Sequence, residues 1–185
     1  MNAITIVSAG LSRPSSTLRL AEAIAAQFPG EKISTVEIRE LLPDLAQAMA
    51  GGGLSAPLEQ AIAKLVDAHA LIIATPVMKA SYSGMLKLFF DVLDPSLLQG
   101  KPVVLAATGG SGRHALMLDH AMRPLLNFMR ATVVPTGVFA TAEDLASLGT
   151  GGELDTRIGR AAEELGALMP ICSARASAEV VSAGA

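Results

Sequence analysis

The chain of 185 residues has a single cysteine and no tryptophan, and only 17% of its residues carry charge. Cys172 alone allows neither an internal disulfide nor a cysteine-built metal cluster. His69, His114 and His120 lack metal-motif spacing. A net charge of −3 with no basic block excludes the positive footprint of a general nucleic-acid binder. No apolar run reaches the roughly 18 residues of a membrane span, so no membrane partner is expected. Met1-Asn2 leads into the first apolar segment without a basic n-region, which points to a cytoplasmic protein with no signal peptide. Aromatics, at 3%, leave little material for an aromatic cage around a ligand. What is present in quantity is apolar: 51% of residues, enough for a substantial core. One domain is expected over 1–172, with a small, polar and flexible tail over 173–185.

The apolar pattern alternates between strand and helix lengths. Ala3 to Ser8 predicts a buried first strand. Leu18, Ala21, Ile24, Ala25 and Phe28 share one helix face, and Pro29-Gly30 ends that helix. Lys32 to Ile38 predicts a second strand near the sheet edge, and Arg39 to Met49 a short helix broken by Pro43. Ser55 caps a third helix with Leu58, Ile62, Leu65 and Val66 inward. The continuous run Ala70 to Thr75 suits a central parallel strand covered on both faces. A helix with Leu86, Phe89, Phe90 and Leu93 follows, then a fourth strand, Pro102 to Ala107. A long helix is expected over His114 to Arg130, and a fifth strand over Val133 to Phe139, interrupted by Pro135 and Gly137. Thr141 to Gly152 reads as a connection and Glu153 to Met169 as the last helix. This alternation gives an α/β class with right-handed crossovers. Five strands suit a flavodoxin-like doubly wound parallel sheet of order 2-1-3-4-5 with helices on both faces. Ligands of such sheets bind beyond the carboxyl ends of the strands.

Three polar, glycine-containing loops leave that edge. In the first, Ala9 to Leu18, Ser12, Arg13, Ser15, Ser16 and Thr17 stand where a strand hands over to a helix. Free N–H groups and the positive helix end favour an anion there, and Arg13 adds a charge-matched fork. A single helix cap needs only one of the hydroxyls. Neither a Walker A sequence nor G-x-G-x-x-G is present. The second loop, Thr75 to Gly84, has a rigid start at Pro76 and a soft apolar residue at Met78. In the third, Thr108-Gly109-Gly110-Ser111-Gly112, glycines let a planar ligand approach the backbone. A phosphate at one end and a flat, amide-rich ring at the other describe FMN.

The segment Ala74-Thr75-Pro76-Val77-Met78-Lys79-Ala80-Ser81-Tyr82-Ser83-Gly84-Met85-Leu86-Lys87 resembles the flavin loop of NAD(P)H-dependent FMN reductases. The closer resemblance is to the reductase components of two-component alkanesulfonate and methanesulfonate monooxygenase systems. Gly100-Lys101, Ala107 to Gly110, Asp119 to Leu126 and Gly137 to Ala140 match further family segments in the same order, so the resemblance spans Ala3 to Ala140. It implies FMN, NADPH or NADH as hydride donor, and a homodimer or homotetramer. It implies that Ser12, Arg13, Ser15, Ser16 and Thr17 hold the phosphate. It implies that Pro76, Val77, Met78 and Ser81 line the isoalloxazine, and that Thr108, Gly109, Gly110 and Ser111 face its other side or edge. Met78 stands where these reductases often carry Tyr, which keeps the backbone contact and removes an aromatic one. The expected reaction is hydride transfer to flavin N5, with reduced flavin handed to a monooxygenase of sulfonate-sulfur assimilation. A quinone or azo-dye reductase with tightly bound FMN, and a non-catalytic electron carrier, are the alternatives.

Hydride transfer is the chemistry of the cofactors, so no catalytic side chain is expected. Asp119 and His120 are neighbours about 100° apart on a helix and form no ready-made dyad. Pro124 removes the donor for the carbonyl of His120, so the helix must kink or widen there, and a π-bulge is one solution. Family members often insert a Tyr in such a bulge at a subunit interface; His120 stands there instead. Arg13, Lys79 and Arg113 are candidates for the phosphates of the hydride donor. Met85, Met117, Met122 and Met129 read as core or interface residues.

Overall fold

Ala3–Ser8 forms β1, which is buried from Ile4 onward because the strand is covered on both sides, with the buried Thr5 hydroxyl satisfied by the carbonyl of Lys64 at 2.8 Å. The computed structural model describes residues 2–183, and residues 171–183 by backbone alone. β1 pairs in parallel with β2 (Lys32–Glu37) on one side and β3 (Ala70–Pro76) on the other. β3 pairs with β4 (Pro102–Thr108), giving the order β2-β1-β3-β4 with β2 at the edge. The fifth position holds two short strands, β5 (Thr132–Val133) and β6 (Val138–Ala140), both parallel to β4. The order expected from the sequence is the order observed, with its last strand split.

Alternation within the apolar strands feeds two cores. Val7, Leu71, Ile73, Val103 and Leu105 face one side. There they meet α2 (Leu42–Gln47), α3 (Ala56–Asp67), α4 (Gly84–Asp91) and α5 (Arg123–Phe128). Ile4, Ile6, Ile72 and Val104 face the other. There they meet α1 (Ser16–Ala25), α6 (Ala142–Ala146) and α7 (Glu153–Ala183). Each fully buried Leu or Ile contributes about 1.5–3 kcal/mol, so the strand centres anchor the sheet whose end carries the loops.

The split of the fifth strand has a local cause. Pro135 has no N–H for the ladder. Side chains from two helices meet the backbone groups that the ladder leaves. Arg123 donates to the carbonyls of Val134 (2.9 Å) and Pro135 (3.0 Å). Glu164 accepts from Thr136 N and Oγ1, each at 2.7 Å. Arg157 donates to the carbonyl of Gly137 at 2.7 Å.

Other segments depart from the sequence expectation. The long helix expected over His114 to Arg130 is a 3₁₀ turn at Gly112–His114, a π-helical turn at Leu118–Met122 and then α5. The widening sits where Pro124 cannot donate to His120, and Arg123 N bonds Leu118 O instead. His120 is exposed within this turn. Pro43 does not break a helix; it lies in the first turn of α2, where its missing N–H costs nothing. A 3₁₀ turn at Ile38–Leu41 precedes α2. The expected connection Thr141 to Gly152 contains α6, started by a reciprocal Thr141–Asp144 capping box. α7 runs past the expected end at Met169, through Ala183, and residues 184 and 185 of the tail lie outside the described residues. Met117, Met122 and Met129 are buried and Met85 packs against them, as core residues.

Candidate functional site

The carboxyl ends of β3 and β4 stop level with each other, and β1 ends two residues short of β3. Ser8 is in register with Ala74, and Pro76 with Thr108. Hydrogen bonds continue the sheet into the loops: Ala9 N donates to Ala74 O (2.8 Å), Val77 N to Thr108 O (2.7 Å) and Gly109 N to Ala140 O (3.1 Å). The hydroxyls of Thr17 and Thr108 bond each other at 2.7 Å. The three loops expected to converge do so, with Thr17 and Val77 both bonded to Thr108.

In the first loop, Ser15 is the helix cap, its Oγ accepting from Leu18 N at 3.1 Å. Thr17 is buried and turned to Thr108, whereas Ser12, Arg13 and Ser16 are exposed. Among the described residues, no acceptor meets the backbone N–H of Leu11, Ser12, Arg13, Ser15, Ser16 or Thr17. The loop doubles back tightly: a Cβ at Gly10 would lie 2.0 Å from Ser15 Oγ. Two residues outside the loop hold it, and the sequence reading missed both. Arg39 donates to the carbonyl of Ser12 and pairs with Glu37, while Glu40 pairs with Arg13. Their signal was their place directly after β2, the neighbour of β1.

The second loop is fixed at its base. Thr75 Oγ1 accepts from Ser83 N at 3.0 Å, and Ser83 Oγ caps α4 through Leu86 N. At its tip Met78 and Ser81 bond each other's backbone at 2.8 and 3.1 Å. Lys79 (φ 49°) and Ala80 (φ 66°) between them are left-handed without being glycine. Such conformations cost energy and persist where surrounding bonds fix them. The turn leaves Met78 42% exposed beside Pro76 and Val77. In the third loop a Cβ at Gly109 would come 2.8 Å from Phe139 Cζ and 3.4 Å from Val77 Cγ2. Gly110 is exposed, and Ser111 Oγ accepts weakly from Arg113 N at 3.4 Å.

Chemically, the first loop is a set of unpaired N–H donors and hydroxyls at the start of a ten-residue helix, which fits a phosphate. The second and third offer backbone amides beside small and apolar residues, which fits the edge and face of a flat polar ring. Among the described residues, no group of three or more His, Cys, Asp or Glu could hold a metal. No described helix is long and apolar enough to cross a membrane. A cavity of about 300 Å³, lined by Leu116, Leu118, Asp119, Pro135 and Arg157, lies beyond the third loop and shares Phe139 with it.

Residues 2–146 match the family model described as NADPH-dependent FMN reductase. The chain is 41% identical over 164 residues to the NADH-dependent FMN reductase SfnF of Pseudomonas fluorescens, covering 86% of this chain and 88% of the relative. It is 38% identical over 165 residues to an FMN reductase (NADPH) of Pseudomonas aeruginosa, with 86% and 88% covered. Among solved structures, an oxidoreductase from Corynebacterium diphtheriae superposes with a TM-score of 0.82 at 47% identity, covering 91% of this chain and 97% of that one.

Proposed function

Because the chain belongs to the family of NADPH-dependent FMN reductases, it is an NAD(P)H:FMN oxidoreductase, and we propose that it binds FMN across its three loops and hands the reduced flavin to a partner monooxygenase. The observation that carries this reading is the meeting of the loops after β1, β3 and β4 at Thr108, whose hydroxyl bonds Thr17 and whose carbonyl accepts from Val77 N. Bound FMN supplies the hydride-accepting N5 and NAD(P)H the hydride, so the chain contributes binding, orientation and electrostatics.

The unpaired N–H groups from Ser12 to Thr17, with the Ser16 hydroxyl and Arg13, would hold the phosphate. Thr17 contributes its N–H and, through its hydroxyl, ties the loop to Thr108. Pro76, Val77, Met78 and Ser81 would line the ring, with the Met78–Ser81 backbone pair fixing the height of that wall. Thr108 to Ser111 would meet the ring's other side or edge, where the bare and exposed backbone of Gly110 permits close approach. Exposed Lys79 and Arg113 would draw the phosphates of the hydride donor. One relative is named for NADH and another for NADPH, so both donors belong in the test.

The transfer to a monooxygenase of sulfonate-sulfur assimilation is supported by the resemblance of Ala74 to Lys87 to the reductases of such systems. A homodimer or homotetramer is supported by Leu116 and Phe128, 64% and 71% exposed on either side of the π-helical turn. A cytoplasmic setting is supported by the supply of NAD(P)H there. The test is anaerobic consumption of NADH and of NADPH with FMN in excess, followed by ultrafiltration. Reduced FMN in the filtrate, in amounts matching the donor consumed, is the expected result. Reduced flavin retained with the protein after one turnover would contradict transfer to a partner.

A further inference from the structure

The first loop is tied to the turn after β2 by two neighbouring rungs. Arg39 donates to the carbonyl of Ser12, and one residue further on Glu40 pairs with Arg13. Adjacent residues of one segment thus meet adjacent residues of the other. The rungs differ in kind. The Arg39 side chain is only 14% exposed, engages Glu37 as well, and buries an Nε that has no acceptor among the described residues. It is a fixed strut under the loop. Arg13 and Glu40 are 69% and 55% exposed, so their ion pair is screened by water and salt and weakly held.

Arg13 therefore has two possible anionic partners. Glu40 offers a carboxylate from outside the loop. A phosphate cradled by the N–H groups of Ser15, Ser16 and Thr17 offers a dianion with several acceptor oxygens. We propose that Glu40 competes with the phosphate of FMN for Arg13, and so weakens the hold of the first loop and hastens release of the flavin. The inference rests on the reading of the first loop as the phosphate site. It adds a residue outside the loop that sets how long FMN stays.

Titration of flavin fluorescence tests both layers, with FMN and riboflavin as ligands and with the native chain, E40Q, R13Q and the double variant. The native chain should bind FMN more tightly than riboflavin. E40Q should tighten FMN by about three- to fivefold, the scale of one exposed ion pair. Riboflavin binding should not change. R13Q should weaken FMN, and adding E40Q to R13Q should recover nothing. A native preference for FMN with no gain in E40Q overturns the competition and leaves the phosphate loop standing. An equal gain in the presence and absence of Arg13 also overturns it, because Glu40 would then act by repulsion alone. Equal native affinities for FMN and riboflavin overturn the phosphate loop and the inference together.

Discussion

Thr17 and Thr108, 91 residues apart in sequence, share a hydroxyl–hydroxyl hydrogen bond of 2.7 Å that fastens the first loop to the third. Thr17 is buried at the start of α1 and Thr108 closes β4, so this bond would set the spacing between the phosphate end and the ring end of the proposed site. Replacing either with Val leaves one hydroxyl without its partner. Thr17→Val and Thr108→Val should each lower stability by about 1 kcal/mol in urea unfolding. The double variant should cost less than the sum, because both single changes break the same bond.

Gly10 and Gly109 are needed for space rather than for turn geometry. Gly10→Ala would push its Cβ into Ser15 Oγ and displace the helix cap, which should cost about 1 kcal/mol in thermal or urea unfolding. Gly109→Ala would press on the Phe139 ring at 2.8 Å and should weaken FMN binding. Phe139→Leu in the Gly109→Ala background should restore part of that binding, read by fluorescence titration.

Ser16 is exposed at the helix start, and its hydroxyl has no role in the cap or in the Thr17–Thr108 bond. Ser16→Ala should therefore weaken FMN by about fivefold, close to 1 kcal/mol, with the melting temperature unchanged. Riboflavin affinity should stay as it is. An equal loss for both ligands would place Ser16 against the ring instead of the phosphate.

Asp155, at the start of α7, accepts from Gly149 N (2.9 Å) and Gly151 N (2.7 Å), and these bonds hold its carboxyl below the ordinary carboxylate range. A depressed folded-state value means the contribution is complete above the ordinary carboxylate pKa, about 4, and is lost as pH falls through the depressed one. The Asp144 carboxyl is lowered in the same direction by Thr141 N and Oγ1. Asp155→Asn should melt at a lower temperature than the native chain at neutral pH. The gap should narrow as pH drops below about 4. A gap that widens in acid would contradict the sign.

The strand order and the meeting of three loops were legible because they depend on the apolar period and on polar residues placed after strands. Ala70 to Thr75 and Pro102 to Ala107 are too uniformly apolar to be anything but covered parallel strands. Pro124 signalled a helix that kinks or widens at His120, and a π-helical turn stands there. The short α6 was missed although Thr141 and Asp144 spell its capping box. The braces of the split fifth strand were not legible, since Arg123, Glu164 and Arg157 reach it from distant parts of the chain. The same holds for Arg39 and Glu40. Their charges look like ordinary surface residues until β2 is laid beside β1 and the 3₁₀ turn carries them to Ser12 and Arg13.

One flavin spanning all three loops should leave its footprint in hydrogen–deuterium exchange measured with and without FMN. The amides from Leu11 to Thr17 have no acceptor among the described residues and should exchange fast in the free protein. Saturating FMN should slow exchange together in 11–17, 76–84 and 108–112. Protection confined to one loop, or centred on the cavity beside Leu118 and Arg157 with 11–17 unchanged, would rule out a flavin held by all three loops.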